Sequence, residues 1–241
     1  MKARFFLASL AASTLFPVCF AQTPSAGDLL SRYEEALGGK AALAKLDTRV
    51  AKGSMEIPDD NTHAPFELYQ KAPGKYYLFV NDPDNGQSRV ILNGPSGWTQ
   101  DPDSGLHEMT EQELIAARRD YDFHREIRLA SLFPTMKVTG KEPVGTQQAW
   151  VIEASAPDGA TEKLYFDVSS GLLLERDYER VNPDAGIVMN RVFFSGYRKV
   201  DGVMMPFTIR QSTADDELIF HFEDIRTNVP IDDSRFTKPT S

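Results

Sequence analysis

Residues 163–175 read KLYFDVSSGLLLE, and this stretch sets the class of fold. Leu164 and Phe166 occupy alternate positions before the Ser170-Gly171 pair, and Leu172 and Leu174 do so after it. Apolar residues at every second position indicate half-buried strands, and Ser-Gly is typical of a tight turn. Charged residues flank both arms, so one face of the pair meets water, which favours antiparallel pairing.

The same alternation recurs on both sides of this hairpin. Turns of the form Pro-Asp-x-Gly begin at Pro83, Pro102 and Pro183, where proline sets φ and glycine takes the left-handed exit. Repeated turns between alternating runs predict a meander of antiparallel hairpins. The further alternating runs are Phe66-Leu68, Tyr77-Phe79, Trp150-Ile152, Val192-Phe194, Phe207-Ile209 and Leu218-Phe220-Phe222.

Two segments carry helical rather than strand periodicity. Residues 28–46 place apolar side chains three and four apart, with a break predicted at Gly38-Gly39. Residues 111–132 form the second predicted helix, with Thr110 and Glu113 as a capping box. We therefore predict one mainly β (α+β) domain over residues 22–241, with about 11 strands and a helix at each of these two places.

The N-terminus has the layout of a secretory leader. Lys2 and Arg4 precede an uncharged, mostly apolar run over residues 5–16, and a polar stretch follows Ala21. We expect residues 1–21 to be cleaved as a signal peptide, which implies a periplasmic or secreted protein. Cys19 would leave with the leader, so no disulfide is expected. We expect no transmembrane segment in the mature chain, because no later run is long and uncharged enough.

Composition and motifs argue against several classes of function. The formal net charge of −9 makes nucleic acid or an anionic membrane surface a poor partner. None of the four histidines lies in an HExxH pattern, and Gly94-Pro95-Ser96-Gly97 is not a nucleophile elbow. We accordingly predict no catalytic residues, no metal ligands and no cofactor.

A curved sheet with this many aromatic residues must cover its apolar face. The chain has 15 Phe, 8 Tyr and 2 Trp, and two helices are available as cover. Tight cover would give a filled core, whereas loose cover would leave a cavity for an apolar ligand. The pattern of residues leaves both possibilities open.

Several motifs resemble, in order, those of the LolA/LolB-like outer-membrane lipoprotein-sorting proteins. The resemblance implies a half-open antiparallel β-barrel whose helices cover a concave face, and a cavity that receives acyl chains of lipids or lipoproteins. Acidic loops and the Gly38-Gly39 helix break place this chain on a divergent branch of that group. The matching stretches are YEEALGGKAAL (33–43), VAKGSME (50–56), residues 68–75, 94–98 and 166–172, GYRKVDGVMMP (196–206) and NVPIDDSRF (228–236).

Three functions follow, in order of preference. The first is a monomeric binding protein or carrier for an apolar ligand such as a lipid or lipoprotein acyl chain. The second is an envelope protein with a packed core that binds a protein partner through its loops. The third is a hydrolase that uses scattered acids. For the carrier, the predicted cavity lining is Phe79, Trp98, Trp150, Phe166, Phe194, Phe207 and Phe220, and the predicted lid helix contributes Leu114, Ile115, Tyr121 and Leu129.

Overall fold

The computed structural model describes residues 22–182, 186–214 and 216–239. The predicted leader at residues 1–21, including Cys19, lies outside these ranges, as does most of the predicted turn that begins at Pro183. No helix among the described residues combines the length and apolarity that crossing a membrane requires.

The described residues form fifteen strands, four α-helices and one short 3-10 helix. The helices are α1 (Ala26–Ala36), α2 (Lys40–Leu43), α3 (Glu111–Asp120) and α4 (Arg125–Leu132), and the 3-10 helix is Asp233–Phe236. The strands are β1 (Thr48–Ile57), β2 (Thr62–Lys71), β3 (Lys75–Asp82), β4 (Gly86–Asn93), β5 (Ser96–Asp101), β6 (Gly105–Glu108), β7 (Thr135–Val144), β8 (Gln147–Ser155), β9 (Thr161–Asp167), β10 (Leu173–Asn182), β11 (Gly186–Ser195), β12 (Arg198–Val200), β13 (Val203–Met205), β14 (Thr208–Ser212) and β15 (Glu217–Thr227).

Thirteen strands join in one antiparallel sheet, which confirms the predicted meander. Their order is β6-β5-β4-β3-β2-β1-β15-β14-β11-β10-β9-β8-β7, and β12 and β13 form a separate ribbon. The first and last strands of the chain thus pair near the middle of the sheet, with Val50 opposite Arg226. The described edges β6 and β7 do not pair, so the sheet is open, and a half-open barrel of about 11 strands is not confirmed.

The α3–α4 segment runs from one edge strand to the other. Because it links β6 to β7, it must pass across a face of the sheet, and its buried residues join the main hydrophobic core there. The predicted capping box is confirmed, with the Thr110 hydroxyl accepting from the Glu113 amide. The prediction of a single helix over residues 111–132 is wrong in one respect. The segment divides into α3 and α4 at residues 121–124, where the Asp122 carboxylate accepts a hydrogen bond from the His124 amide and the chain turns.

Helices α1 and α2 pack on the same face of the sheet as the α3–α4 segment and contact α4 there. Ser25 caps α1 with Asp28 in a reciprocal capping box. The predicted break is confirmed: Gly38 and Gly39 have φ of 117° and 95°, which other residues rarely adopt. At Gly38 a Cβ would also overlap the carbonyl oxygen of Gly202. The break lets α2 turn toward α4, and His124 Nε2 lies 2.9 Å from the Leu46 carbonyl oxygen.

Candidate ligand-binding site

The helix-covered face of the sheet is filled beneath α1. Phe133, Phe166 and Leu164 are almost completely buried, and Tyr33 of α1 meets the Phe166 ring with 5.1 Å between centroids. Side chains packed this closely leave no room for an acyl chain. Of the two possibilities left open by the sequence, a filled core therefore describes this part of the molecule.

A cavity of about 770 Å³ lies instead at the rim of the helix-covered face. It opens between the α3–α4 segment and three turns, those joining β2 to β3, β4 to β5 and β8 to β9. Leu92, Ile115, Tyr121 and Leu132 supply apolar surface. We call it the rim cavity. Its remaining lining residues are Pro73, Gly74, Lys75, Asn93, Gly94, Pro95, Arg118, Arg119, Asp122, Arg128, Ser131, Ala156, Pro157 and Asp158.

Polar contacts hold α3 to turns on both sides of the rim cavity. Arg118 Nε donates to the Gly94 carbonyl oxygen at 3.0 Å, and Arg119 binds Asp158 at 2.5 Å. Burial alone would raise the pKa of Asp158, but hydrogen bonds from Arg119 and the Ala160 amide hold it below its ordinary value. Asp158 is consequently ionised at neutral pH and pairs fully with Arg119. The four residues that form the Arg118–Gly94 and Arg119–Asp158 contacts all line the rim cavity.

Tyr121 contributes an aromatic ring to the lining of the rim cavity. Its ring stacks on Tyr76 of β3, with 4.0 Å between centroids and an interplanar angle of 19°. Burial raises the pKa of Tyr121 to about 12, so its hydroxyl stays neutral at physiological pH. A neutral aromatic wall suits an apolar ligand.

Beneath the junction of α3 and α4 lies a buried cluster of four charges. Glu162 of β9 accepts from Arg125 of α4 at 2.5 Å and lies 3.1 Å from Arg176 of β10. Arg176 also binds Asp120 of α3 at 2.7 Å. The Glu162 side chain is only 2% exposed. Each carboxylate forms an ion pair with a guanidinium, so the cluster attaches the α3–α4 segment to strands β9 and β10. Burial of these charged groups costs desolvation free energy, which the pairing offsets.

The four predicted lid residues lie on the α3–α4 segment but play different parts. Ile115 and Tyr121 line the rim cavity, whereas Leu129 is buried in the main core and Leu114 packs against it. Ile115 is 43% exposed, which is high for isoleucine.

The seven aromatic residues predicted to line a cavity do not lie together. Trp150, Phe166, Phe194, Phe207 and Phe220 belong to or pack against the main core. Phe79 and Trp98 lie on the opposite face of the sheet, since their strand neighbours Leu78, Val80 and Gly97 face the core. The Arg89 guanidinium lies over the Phe79 ring at 5.0 Å. None of the seven borders the rim cavity.

Sequence reasoning missed most of the rim cavity. Gly94, Arg118, Leu132 and Asp158 come from four separate elements and share no motif. Gly94-Pro95 and Pro157-Asp158 are residue pairs typical of turns, but a turn pattern carries no information on which other turns it meets. Among the lining residues, Ile115 and Tyr121 were predicted, as apolar residues among charged neighbours in the predicted helix.

A second feature bears on the hydrolase alternative. Glu175 and Asp177 of β10 lie on the face opposite the helices, because the intervening Arg176 points toward α3. Burial and the neighbouring Asp177 raise the pKa of Glu175 to about 7, and the Tyr165 hydroxyl donates to Asp177 at 3.1 Å. This carboxyl pair lies outside the residues that line the rim cavity.

Comparisons with known proteins bear on the fold. Neither the scan of protein-family models nor the search of curated proteins gave a match. A LolA superfamily protein from Nitrosomonas europaea is similar over 90% of this chain and 99% of its own, at 14% identity and a TM-score of 0.58.

Two further solved structures agree. A putative outer membrane lipoprotein-sorting protein domain from Vibrio parahaemolyticus covers 89% of this chain and 98% of its own, at 12% identity and a TM-score of 0.57. A DUF1329 family protein from Desulfovibrio piger covers 87% and 95%, at 17% identity and a TM-score of 0.56. At sequence identities this low, the similarity shows a shared fold and nothing further. The large antiparallel sheet with its crossing helices is thus a LolA-like fold, as the motifs of the sequence predicted.

Proposed function

We propose that this chain is a binding protein or carrier that holds the acyl chain of a lipid or lipoprotein in the rim cavity. The observation that carries the proposal is an apolar cavity of about 770 Å³ roofed by a helix that exposes Ile115. Each methylene group buried there contributes about 0.8 kcal/mol of binding free energy. The LolA-like fold and the leader predicted at residues 1–21 support a place in the bacterial envelope. A binding role is preferred to a catalytic one.

Native mass spectrometry of the protein purified from a periplasm, followed by extraction and lipid analysis, tests the proposal. A stoichiometric lipid in wild type is expected. Ile115→Glu should abolish it, because a carboxylate in the cavity wall is costly to desolvate beside an acyl chain. Ile187→Glu is the matched control, since Ile187 is 70% exposed on β11 and lies outside the cavity lining.

Two outcomes would count against a lipid carrier. One is a clean apo mass that persists after incubation with hexadecanol or a synthetic lipopeptide. The other is equal lipid loading of wild type and Ile115→Glu, which would remove the rim cavity from consideration. Both variants should first give the wild-type melting temperature, so that loss of lipid is not loss of fold.

A second candidate function is the binding of an envelope protein. Ile187 and Met189 share one face of β11 and are 70% and 46% exposed. Exposed large apolar residues at neighbouring positions are typical of contact surfaces. Cross-linking in intact cells tests it: a specific adduct lost in Ile187→Glu but kept in Ile115→Glu would favour a partner protein over a lipid.

A further inference from the structure

The charges around the rim cavity differ in sign from those of the whole chain. The chain carries 35 acidic and 26 basic side chains, yet the cavity lining has four cations and two carboxylates. The cations are Lys75, Arg118, Arg119 and Arg128. A cationic lining on an acidic protein raises the local concentration of anions over cations at this mouth.

Three of the four cations already form ion pairs with carboxylates. Arg119 binds Asp158 at 2.5 Å, Arg128 binds Asp122 at 2.5 Å, and Lys75 Nζ lies 3.0 Å from Asp233. Arg118 alone among these four forms no ion pair within the described chain. Its Nε donates to the Gly94 carbonyl oxygen at 3.0 Å, which fixes the plane of the guanidinium at the cavity mouth.

The Arg118 guanidinium adjoins the apolar surface of the cavity. Arg118 and Ile115 are three residues apart on α3, so their side chains lie on one face of the helix. Gly94, which accepts from Arg118, also lines the cavity beside Pro95. A charged donor and an apolar surface are therefore offered side by side, an arrangement complementary to an amphiphile.

Size limits the ligand further. A volume of about 770 Å³ falls within the roughly 300–1,000 Å³ typical of sites for one small ligand. The guanidinium group presents paired N–H donors that match a carboxylate or phosphate. A neutral head group would gain no charge-assisted hydrogen bond from this residue.

We propose that the ligand is a single-chain amphiphile with an anionic carboxylate or phosphate head. The head binds the Arg118 guanidinium, and the chain lies against Leu92, Ile115 and Leu132. This inference rests on the proposed lipid-binding function and specifies the head group that the same cavity selects.

The test compares three probes, each kept monomeric below its aqueous solubility or critical micelle concentration: hexadecanol, palmitate and palmitoyl lysophosphatidic acid. Calorimetric titration of the mature protein should show at least one anionic probe binding about tenfold more tightly than hexadecanol. Arg118→Gln should remove that preference and leave the affinity for hexadecanol unchanged. Arg226→Gln is the control, because Arg226 is an exposed cation on β15, outside the cavity lining, and should change neither affinity.

These outcomes distinguish a failure of the head-group assignment from a failure of the proposed lipid-binding function. A preference for palmitate identifies a carboxylate head, and a preference for the lysophospholipid identifies a phosphate. Equal affinities of wild type for all three probes, or an Arg118→Gln variant that keeps the preference, would overturn the head-group assignment while leaving lipid binding intact. Failure of wild type to bind any of the three would overturn lipid binding itself.

Discussion

Gly53 occupies a position that has no room for a side chain. It lies where the register of β1 shifts against β15, between Lys52 and Gly53. A Cβ at this position would overlap the carbonyl oxygen of His221 and lie 2.9 Å from the Phe66 ring. The backbones of β1 and β15 cannot separate without disturbing the strands that flank them, β2 and β14. One hydrogen in place of a methyl group thus allows the first and last strands to pair here.

Gly53→Ala is expected to lower the free energy of unfolding by about 2 kcal/mol, because the inserted methyl group overpacks the seam. Urea denaturation followed by circular dichroism measures the change. Gly74→Ala is the control: a Cβ there would meet nothing within 4 Å, so its free energy should stay within about 0.5 kcal/mol of wild type. Equal effects in the two variants would refute the argument from close approach.

Glu175 makes stability depend on pH near neutrality. Burial first, then the charge of Asp177 and a hydrogen bond with it, raise the pKa of Glu175 from 4.5 to about 7. Between these values the folded protein binds the proton more tightly than the unfolded chain does, so folding stability contributed by this group falls as pH rises. The contribution is present in full below pH 4.5 and is lost above pH 7.

Glu175→Gln should therefore be more stable than wild type at pH 8, by on the order of 1–2 kcal/mol, because the amide donates to Asp177 at every pH. The difference should shrink toward pH 5. Melting temperatures of both proteins from pH 5 to pH 8 provide the measurement. A constant difference across that range would show that Glu175 does not titrate within it.

At the scale of elements, the α3–α4 segment depends on the charge cluster below it. Glu162→Gln removes the carboxylate shared by Arg125 and Arg176 and leaves two buried guanidinium groups with one acid. We expect a loss of about 3 kcal/mol in unfolding free energy. In Glu162→Gln, hydrogen exchange of the α3–α4 amides should accelerate relative to wild type by more than that of the β1–β2 amides.

Glu153→Gln is the matched control for this prediction. Glu153 belongs to the neighbouring strand, but its carboxylate is 51% exposed and lies 3.9 Å from Lys163. An exposed pair of this kind contributes little, so the change should stay within about 0.5 kcal/mol. If Glu162→Gln behaved like this control, the cluster would not fasten the helices.

The elements also show why some features were predictable and others were not. Capping boxes, the Gly38-Gly39 break and hairpin turns are local, so neighbouring residues specify them. Strand β7 was missed because an edge strand buries little, and the apolar alternation of its ten residues is confined to Met136 and Val138. The face on which Phe79 lies depends on pairing register, and the rim cavity depends on turns about 60 residues apart, such as Gly94 and Asp158. Neither is encoded locally.

At the scale of the whole molecule, the topology joins the two ends of the chain. Strands β1 to β6 form one half of the sheet, β7 to β11 with β14 and β15 form the other, and the halves meet where β1 pairs with β15. The α3–α4 segment joins the outer edges across the face. Each half alone would expose a central strand and lose part of its helical cover. The halves should therefore unfold together.

The two tryptophans test this cooperativity, since Trp98 lies on β5 in one half and Trp150 on β8 in the other. Trp150→Phe leaves fluorescence that reports the first half, and Trp98→Phe leaves fluorescence that reports the second. Within each variant, the urea midpoint from fluorescence should equal the midpoint from far-ultraviolet circular dichroism, because a two-state transition has one midpoint for every probe. Each substitution shifts stability by its own amount, so the comparison is made between probes and not between variants. A fluorescence midpoint that precedes the dichroism midpoint in one variant and follows it in the other would mean that the halves unfold separately. In that case the β1–β15 seam would be an interface between two folding units and not the centre of one.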